Sequence, residues 1–102
     1  MKFGLKQADI DAILEAVRRF PEIKQVVIFG SRAKNSHQKG SDIDLAINGK
    51  DITFQIVRRL SALLNEELPL PYFFDVVHYE EIENKDLKEH IDRVGKILSD
   101  GI

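Results

Sequence analysis

The 102-residue sequence has no cysteine and almost no charge imbalance. The missing cysteines exclude a disulfide framework, a thiolate metal site and a thiol nucleophile. Seventeen acidic residues against fifteen basic ones leave a net charge of -2, so the molecule as a whole does not attract nucleic acid or an anionic membrane. The first residues, "MKFGLKQADID", do not have the apolar core of a signal peptide, and no later apolar run is long enough to span a bilayer. We therefore predict a soluble, cytoplasmic protein without a membrane or a direct nucleic-acid partner.

The composition is that of an ordinary globular protein. Hydrophobic residues make up 43% of the sequence and charged residues 31%, which is neither a disordered nor a fibrous composition. A chain of this length normally builds one hydrophobic core. We predict a single domain over residues 1–102 that recognises its partner through a local site.

Helical and strand patterns alternate along the sequence. Helices are predicted where apolar residues recur every three or four positions, from Ile10 to Val17, from Ile52 to Leu68 and from about Asn84 to Leu98. Strands are predicted in "KQVVIFG", over residues 42–47 and in "YFFDVVHY". Pro21 should end the first helix, Asn84 should cap the last one, and Gly101 should follow its end. This order predicts an α/β (α+β) fold in which a small mixed sheet packs on helices.

The strand over residues 42–47 carries acidic residues on one side. Three aliphatic side chains alternate with Asp42 and Asp44, so one face belongs to the core and the other holds the carboxylates. Positions two apart on a strand are about 6.6 Å apart, and such a pair suits Mg²⁺ bound together with substrate phosphates. Asp75, which interrupts the third strand, is predicted to join them. Two ions roughly 3.5–4 Å apart would then fit a phosphoryl-type displacement.

The pair Gly30-Ser31 at the end of the first strand complements those acids. Glycine allows the backbone to approach a ligand closely, and if Ser31 opens a short helix, its N–H groups and hydroxyl form an anion site for nucleotide phosphates. Arg32 can add positive charge, although such side chains are more often solvated. We add Ser41 to the predicted nucleotide-binding residues.

The stretch "GSRAKNSHQKGSDIDLAI", together with Asp75 in "YFFDVV", resembles the signature of the nucleotidyltransferase superfamily that includes DNA polymerase beta. In that signature a Gly-Ser pair is followed by Asp-x-Asp and by a third acid on a later strand. At this length the sequence is most similar to the minimal nucleotidyltransferases, the antitoxins of HEPN/minimal nucleotidyltransferase toxin–antitoxin pairs. The family often has a second glycine where this sequence has Asn35. Because asparagine tolerates the left-handed backbone better than most residues, we expect the turn to survive.

The resemblance implies a polymerase-beta-like core that uses Mg²⁺ to transfer a nucleoside monophosphate, AMP from ATP, to an acceptor hydroxyl. In such an enzyme Gly30 and Ser31 hold the triphosphate and Asp42 and Asp44 bind metal, while Asp75 completes the triad and serves as base toward the acceptor. The implied acceptor is a tyrosine of a cognate HEPN ribonuclease toxin, which the chain binds and silences by modifying it.

Two other functions stay open on the residues alone. The chain can act as an antitoxin that neutralises its partner by binding only, with the carboxylates a relic of catalysis. It can also be a two-metal phosphohydrolase or nuclease with water as acceptor, although the Gly-Ser turn suits a bound triphosphate better than a polymer backbone. The broad apolar side of the second predicted helix, with Phe54 near its margin, further predicts surface for a partner protein or a second copy of the chain.

Overall fold

Four helices and four strands make up the computed structural model, which describes residues 2–38 and 40–100. The helices are α1 (Gln7–Arg18), α2 (Gly30–Ala33), α3 (Phe54–Ala62) and α4 (Lys85–Val94). The strands are β1 (Gln25–Phe29), β2 (Ile43–Asn48), β3 (Phe74–His78) and β4 (Lys96–Asp100). A π-helical turn, Leu63–Glu67, extends α3, and a 3-10 turn, Tyr79–Glu81, follows β3.

The strands form one mixed sheet in the order β3-β2-β1-β4. β1 pairs antiparallel with both β2 and β4, whereas β2 and β3 run parallel. Parallel neighbours need a crossover connection, and here α3 with its π-helical turn provides it. The predicted α+β class and mixed sheet are therefore confirmed.

Each face of the sheet packs against helices. α1 and α3 cover the face that carries Ile43, Leu45 and Ile47, all fully buried, as the alternation in β2 predicts. On the opposite face, Ala46 is also fully buried and packs in a smaller cluster with Phe29 of β1 and Ile91 of α4. The second face is therefore covered by α4 over part of its length, and Asp44 lies on that same face.

The predicted helix boundaries hold at most positions. α1 ends at Arg18, ahead of Pro21, and the Thr53 hydroxyl accepts a hydrogen bond from the Ile56 amide at the start of α3. Asn84 caps α4, since its side-chain oxygen accepts hydrogen bonds from the amides of Asp86 and Leu87 at 2.9 and 3.1 Å. No helix in the described part of the chain is long and apolar enough to cross a membrane.

The predicted last helix was too long. α4 ends at Val94, Gly95 adopts an extended conformation, and Ile97 and Leu98 belong to β4 instead. Beyond Gly95 the chain turns to pair with β1, and a side chain at this turn would meet the Ile91 carbonyl and the Val27 side chain. The backbone N–H and C=O groups of β1 would otherwise form an open sheet edge. Gly101, predicted to follow the helix, lies outside the described residues.

Candidate functional site

Asp44 and Asp75 lie opposite each other on adjacent parallel strands. They form a registered pair between β2 and β3, so their backbones are about 4.8 Å apart and their side chains share one face of the sheet. Asp42 precedes β2 and is exposed, as is Asp75, whereas Asp44 is half-buried. The fold thus brings together the three acids that the sequence singles out.

Gly30 turns the chain directly against Asp44. Its φ is +73°, a left-handed conformation that favours glycine. A Cβ atom at this position would lie 3.2 Å from the Asp44 carboxyl carbon and closer still to its Oδ2. Phe29, the preceding residue, is the registered partner of Asp44 across β1 and β2. Glycine is therefore required here both for its backbone conformation and for the space that the carboxylate occupies.

The carboxylates affect one another electrostatically. Burial raises the pKa of Asp44 above its ordinary value, and the charges of Asp75 and then Asp42 raise it further. Within residues 2–38 and 40–100, no three acidic or histidine side chains lie close enough to hold a metal ion by themselves. An ion at these carboxylates would therefore take its remaining oxygen ligands from water or from a bound phosphate.

Arg32 is buried and bonds to the backbone of two distant segments. Only 2% of the residue is exposed. Its Nη1 donates to the Phe3 carbonyl at 2.8 Å, and its Nε and Nη2 donate to the Ser41 carbonyl at 3.1 and 2.8 Å. The guanidinium also lies 5.1 Å from the centre of the Tyr72 ring. The structure thus directs these three donors to protein carbonyls. The nucleotide contact predicted for Arg32 stays a prediction.

The remaining predicted residues line the loop between β1 and β2. The Ser31 carbonyl accepts a hydrogen bond from the Ser36 amide at 2.9 Å. The Ser41 hydroxyl accepts from the Gln38 amide at 2.8 Å, which closes the other end of the loop. Asn35 has a φ of +61°, so it takes the left-handed conformation expected for it. The turn that follows Gly30 is therefore kept without a second glycine.

Asn65 holds the outer edge of β3, a role that its sequence context did not predict. Its side-chain oxygen accepts from the Phe74 amide at 2.7 Å, and its side-chain nitrogen donates to the Phe74 carbonyl at 3.0 Å. The amide thus pairs with Phe74 as a neighbouring strand would, one residue before Asp75. The bond from the Leu68 amide to the Leu63 carbonyl, 3.0 Å long, closes the π-helical turn that carries Asn65.

Comparison with known proteins identifies the family. The chain matches the family described as "Polymerase beta, Nucleotidyltransferase" over residues 11–101. It therefore belongs to the polymerase beta nucleotidyltransferase family, and the family predicted from the motif is confirmed. No curated protein matches the chain in sequence.

Solved structures share the fold at low sequence identity. A chain in the crystal structure of a toxin–antitoxin with AMP-PNP is 22% identical, with a TM-score of 0.75 over 89% of this chain and 73% of that one. A chain of the MntA–HepT toxin–antitoxin is 22% identical, with a TM-score of 0.72 over 93% and 73%. A chain in a complex of a tri-AMPylated Shewanella oneidensis HEPN toxin with an MNT antitoxin is 21% identical, with a TM-score of 0.72 over 94% and 73%.

Proposed function

We propose that this chain transfers AMP from ATP to a hydroxyl of a partner protein, as the enzymatic antitoxin of a toxin–antitoxin pair. The observation that carries the proposal is the contact between the Gly30 turn and Asp44. It sets a backbone segment suited to phosphates against a carboxylate, in a family whose reaction is nucleotidyl transfer. Residues 1–102 form the catalytic domain in this proposal, and the reaction takes place in the cytoplasm.

The structural neighbours support the choice of nucleotide and partner. One of them is a toxin–antitoxin with AMP-PNP, and another contains an MNT antitoxin with a tri-AMPylated HEPN toxin. We assign the corresponding substrates to this chain: ATP as the donor, and a tyrosine of a HEPN-type toxin as the acceptor. A stable complex with that toxin is part of the same proposal.

Mg²⁺ fits the carboxylates of the site. Three acids of like charge, one of them with its pKa raised by burial and by the other two, gain from a cation between them. Asp42 and Asp44 would hold the ion, Asp75 would complete the set, and two ions can be accommodated. When bound, Mg²⁺ would supply positive charge to the phosphates of the nucleotide.

The chain's own residues then have distinct tasks. Gly30 and Ser31 hold the triphosphate, and Ser41 with Arg32 fixes the loop that leads into Asp42. The acceptor oxygen bonds to the α-phosphorus while the bond from that phosphorus to the bridging oxygen breaks, and pyrophosphate leaves with the electron pair. Asp75 takes the proton from the acceptor hydroxyl.

The test is transfer of label from ATP that carries radioactive phosphorus at the α position. The chain is incubated with Mg²⁺ and a lysate of its source cell, beside an Asp42→Asn, Asp44→Asn double variant. We expect one labelled protein band that is absent with the double variant. Free labelled AMP without a labelled acceptor would instead indicate the phosphohydrolase.

A rescue assay separates the enzyme from a binding-only antitoxin. Cells that express the toxin are expected to survive with the unaltered chain and to die with an Asp42→Ala, Asp44→Ala variant that still binds the toxin. Full protection by that variant would overturn the enzymatic proposal in favour of neutralisation by binding.

A contact surface for a partner protein or a second copy of the chain is a separate proposal. Phe54 at the start of α3 is 69% exposed, as expected for a residue at a contact with a partner or a second copy. Light scattering at high concentration, with and without the toxin, tests this. A strictly monomeric species under both conditions would overturn it.

A further inference from the structure

We infer that Phe73 is an acceptor-positioning residue whose ring packs against the aromatic ring of a phenolic acceptor beside Asp75. This inference rests on the proposed function, because it concerns which acceptor the same site takes. It is carried by the exposure of Phe73, the rigidity of its backbone, and its place relative to the carboxylates and the Gly30 turn.

Phe73 is an exposed aromatic residue next to the acids. It is 61% exposed, and it directly precedes β3, where alternation places it on the face that also carries Asp75. Because Ile43 and Phe74 are registered partners, Phe73 lies beside Asp42 on the neighbouring strand. The exposed ring therefore lies at the rim of the carboxylate site.

The backbone of Phe73 is held in place on both sides. Its carbonyl accepts from the Ile43 amide at 2.9 Å, which continues the ladder between β2 and β3. The next residue, Phe74, is buried and pairs with the Asn65 amide, and the preceding one, Tyr72, lies under Arg32 and donates to Asp9. Because these hydrogen bonds already order the backbone around Phe73, little conformational entropy is lost in this segment when a ligand packs on the exposed ring.

The order of the strands places Phe73 on the acceptor side. The Gly30 turn follows β1, Asp44 lies on β2 and Asp75 with Phe73 on β3, so the three lie in that order across the sheet. In nucleotidyl transfer the attacking and leaving oxygens lie roughly in line. If pyrophosphate leaves on the side of the Gly30 turn, the acceptor hydroxyl approaches over β3, where it meets Asp75 and the ring of Phe73.

The ring favours a phenolic acceptor over an aliphatic alcohol. Two aromatic rings pack favourably edge to face or offset, and an aliphatic alcohol has no ring to offer. A phenol is also the more acidic hydroxyl, with a pKa of about 10, so a carboxylate removes its proton more readily than that of an aliphatic alcohol. Attack then forms the bond from the phenolic oxygen to the α-phosphorus as pyrophosphate departs, and the phenolic proton passes to Asp75.

The experiment compares Phe73→Ala with a matched control at the opposite edge of the sheet. Ile97 is 57% exposed but lies on β4, two strands away from β2 and at the other edge from β3, so Ile97→Ala is the control. The acceptor protein labelled in the transfer assay is purified, and KM and kcat are measured for it and for ATP. We expect Phe73→Ala to lower kcat/KM for the acceptor by about three- to tenfold, the effect of losing one aromatic pair, with KM for ATP unchanged.

Two further variants test the nature of the contact. Phe73→Tyr keeps the ring and should retain the activity, whereas Phe73→Leu keeps apolar area without the ring and should not restore it fully. Unchanged kcat/KM in Phe73→Ala would overturn the inference, as would a rise confined to KM for ATP, which would assign the ring to the nucleobase. Absence of transfer by the unaltered chain would instead overturn the proposed function.

Discussion

At the scale of single residues, the contact between Gly30 and Asp44 is the most restrictive feature of the site. Gly30→Ala is expected to destabilise the protein by more than the roughly 1–2 kcal/mol of a left-handed alanine, because its Cβ would also meet the Asp44 carboxylate. Gly40→Ala is the matched control, since Gly40 has a φ of +84° with nothing within 4 Å of an added Cβ. Urea unfolding and the labelling assay measure both; equal losses of stability and activity in the two variants would contradict the role of the contact.

A second residue-scale prediction follows from the charge of Asp44. Because the pKa of Asp44 is raised in the folded protein, the folded state binds this proton more readily than the unfolded state. The free energy of unfolding therefore falls as the pH rises above 3.8, the ordinary pKa of the group. At neutral pH without metal, Asp44→Asn should therefore raise the melting temperature.

Calorimetry with and without Mg²⁺ completes that test. Mg²⁺ should raise the melting temperature of the unaltered chain and have little effect on Asp44→Asn. The exposed Asp51, in the turn after β2, provides the control: Asp51→Asn should keep the response to Mg²⁺. A lower melting temperature for Asp44→Asn in metal-free buffer at neutral pH would refute the prediction.

At the scale of secondary structure, the side chain of Asn65 replaces a missing neighbour of β3. Asn65→Ala is expected to cost about 1–3 kcal/mol, because it removes two hydrogen bonds to the Phe74 backbone. Activity should fall with stability, since Asp75 follows Phe74. Ser61, which only accepts a longer bond of 3.3 Å from the same amide, is the control, and Ser61→Ala should stay within about 0.5 kcal/mol of the unaltered chain. An equally small effect of Asn65→Ala in urea unfolding would show that the edge holds without it.

The elements that could be predicted from sequence are those whose pattern has one interpretation. The alternation around Asp44 permits only a strand with one apolar face, and the period of α1 permits only a helix. Ile97 and Leu98 fit a continuation of the helical spacing that begins at Leu87, and they fit a strand equally well. The strand β4 was therefore missed. Its pairing with β1 is a long-range contact that no local pattern reports.

Some features of the candidate site could likewise be predicted from the sequence, and others could not. The motif from Gly30 to Asp44, with Asp75, is legible because the residue types and spacing coincide with a known chemistry. The contacts of Arg32 and the pairing of Asn65 with Phe74 depend on which segments meet in space. A buried arginine and an asparagine in a π-helical turn carry no mark in the sequence that separates them from solvated ones.

At the scale of the whole molecule, Arg32 connects the N-terminal turn, the loop before β2 and the segment before β3. Phe3 has a φ of +58° and Gly4 of +72°, and this tight turn presents the Phe3 carbonyl to the guanidinium. Burial, and then the Asp9 carboxylate, raises the pKa of Tyr72, so its hydroxyl stays protonated and donates to Asp9.

Arg32→Met is therefore expected to destabilise the protein by about 3 kcal/mol, since two carbonyls lose their charged donor. Arg93 is the control: its side chain is 64% exposed and pairs with Glu89 in the preceding turn of α4, so Arg93→Met should change the free energy of unfolding by less than about 0.5 kcal/mol. Chemical denaturation measures both, and similar losses would show that the three segments hold together without the guanidinium.

The order of the strands also has a consequence for how the protein folds. β1 pairs with β2 between positions as close as Phe29 and Asp44, whereas its pairing with β4 joins Val27 to Ile97, 70 positions away. Closing the longer loop costs about 1.4 kcal/mol more chain entropy than closing the shorter one. We expect β4 to join last during folding and to detach first during local unfolding. The Gly30 turn and the strands that carry Asp44 and Asp75 can then stay assembled while the opposite edge of the sheet opens and closes.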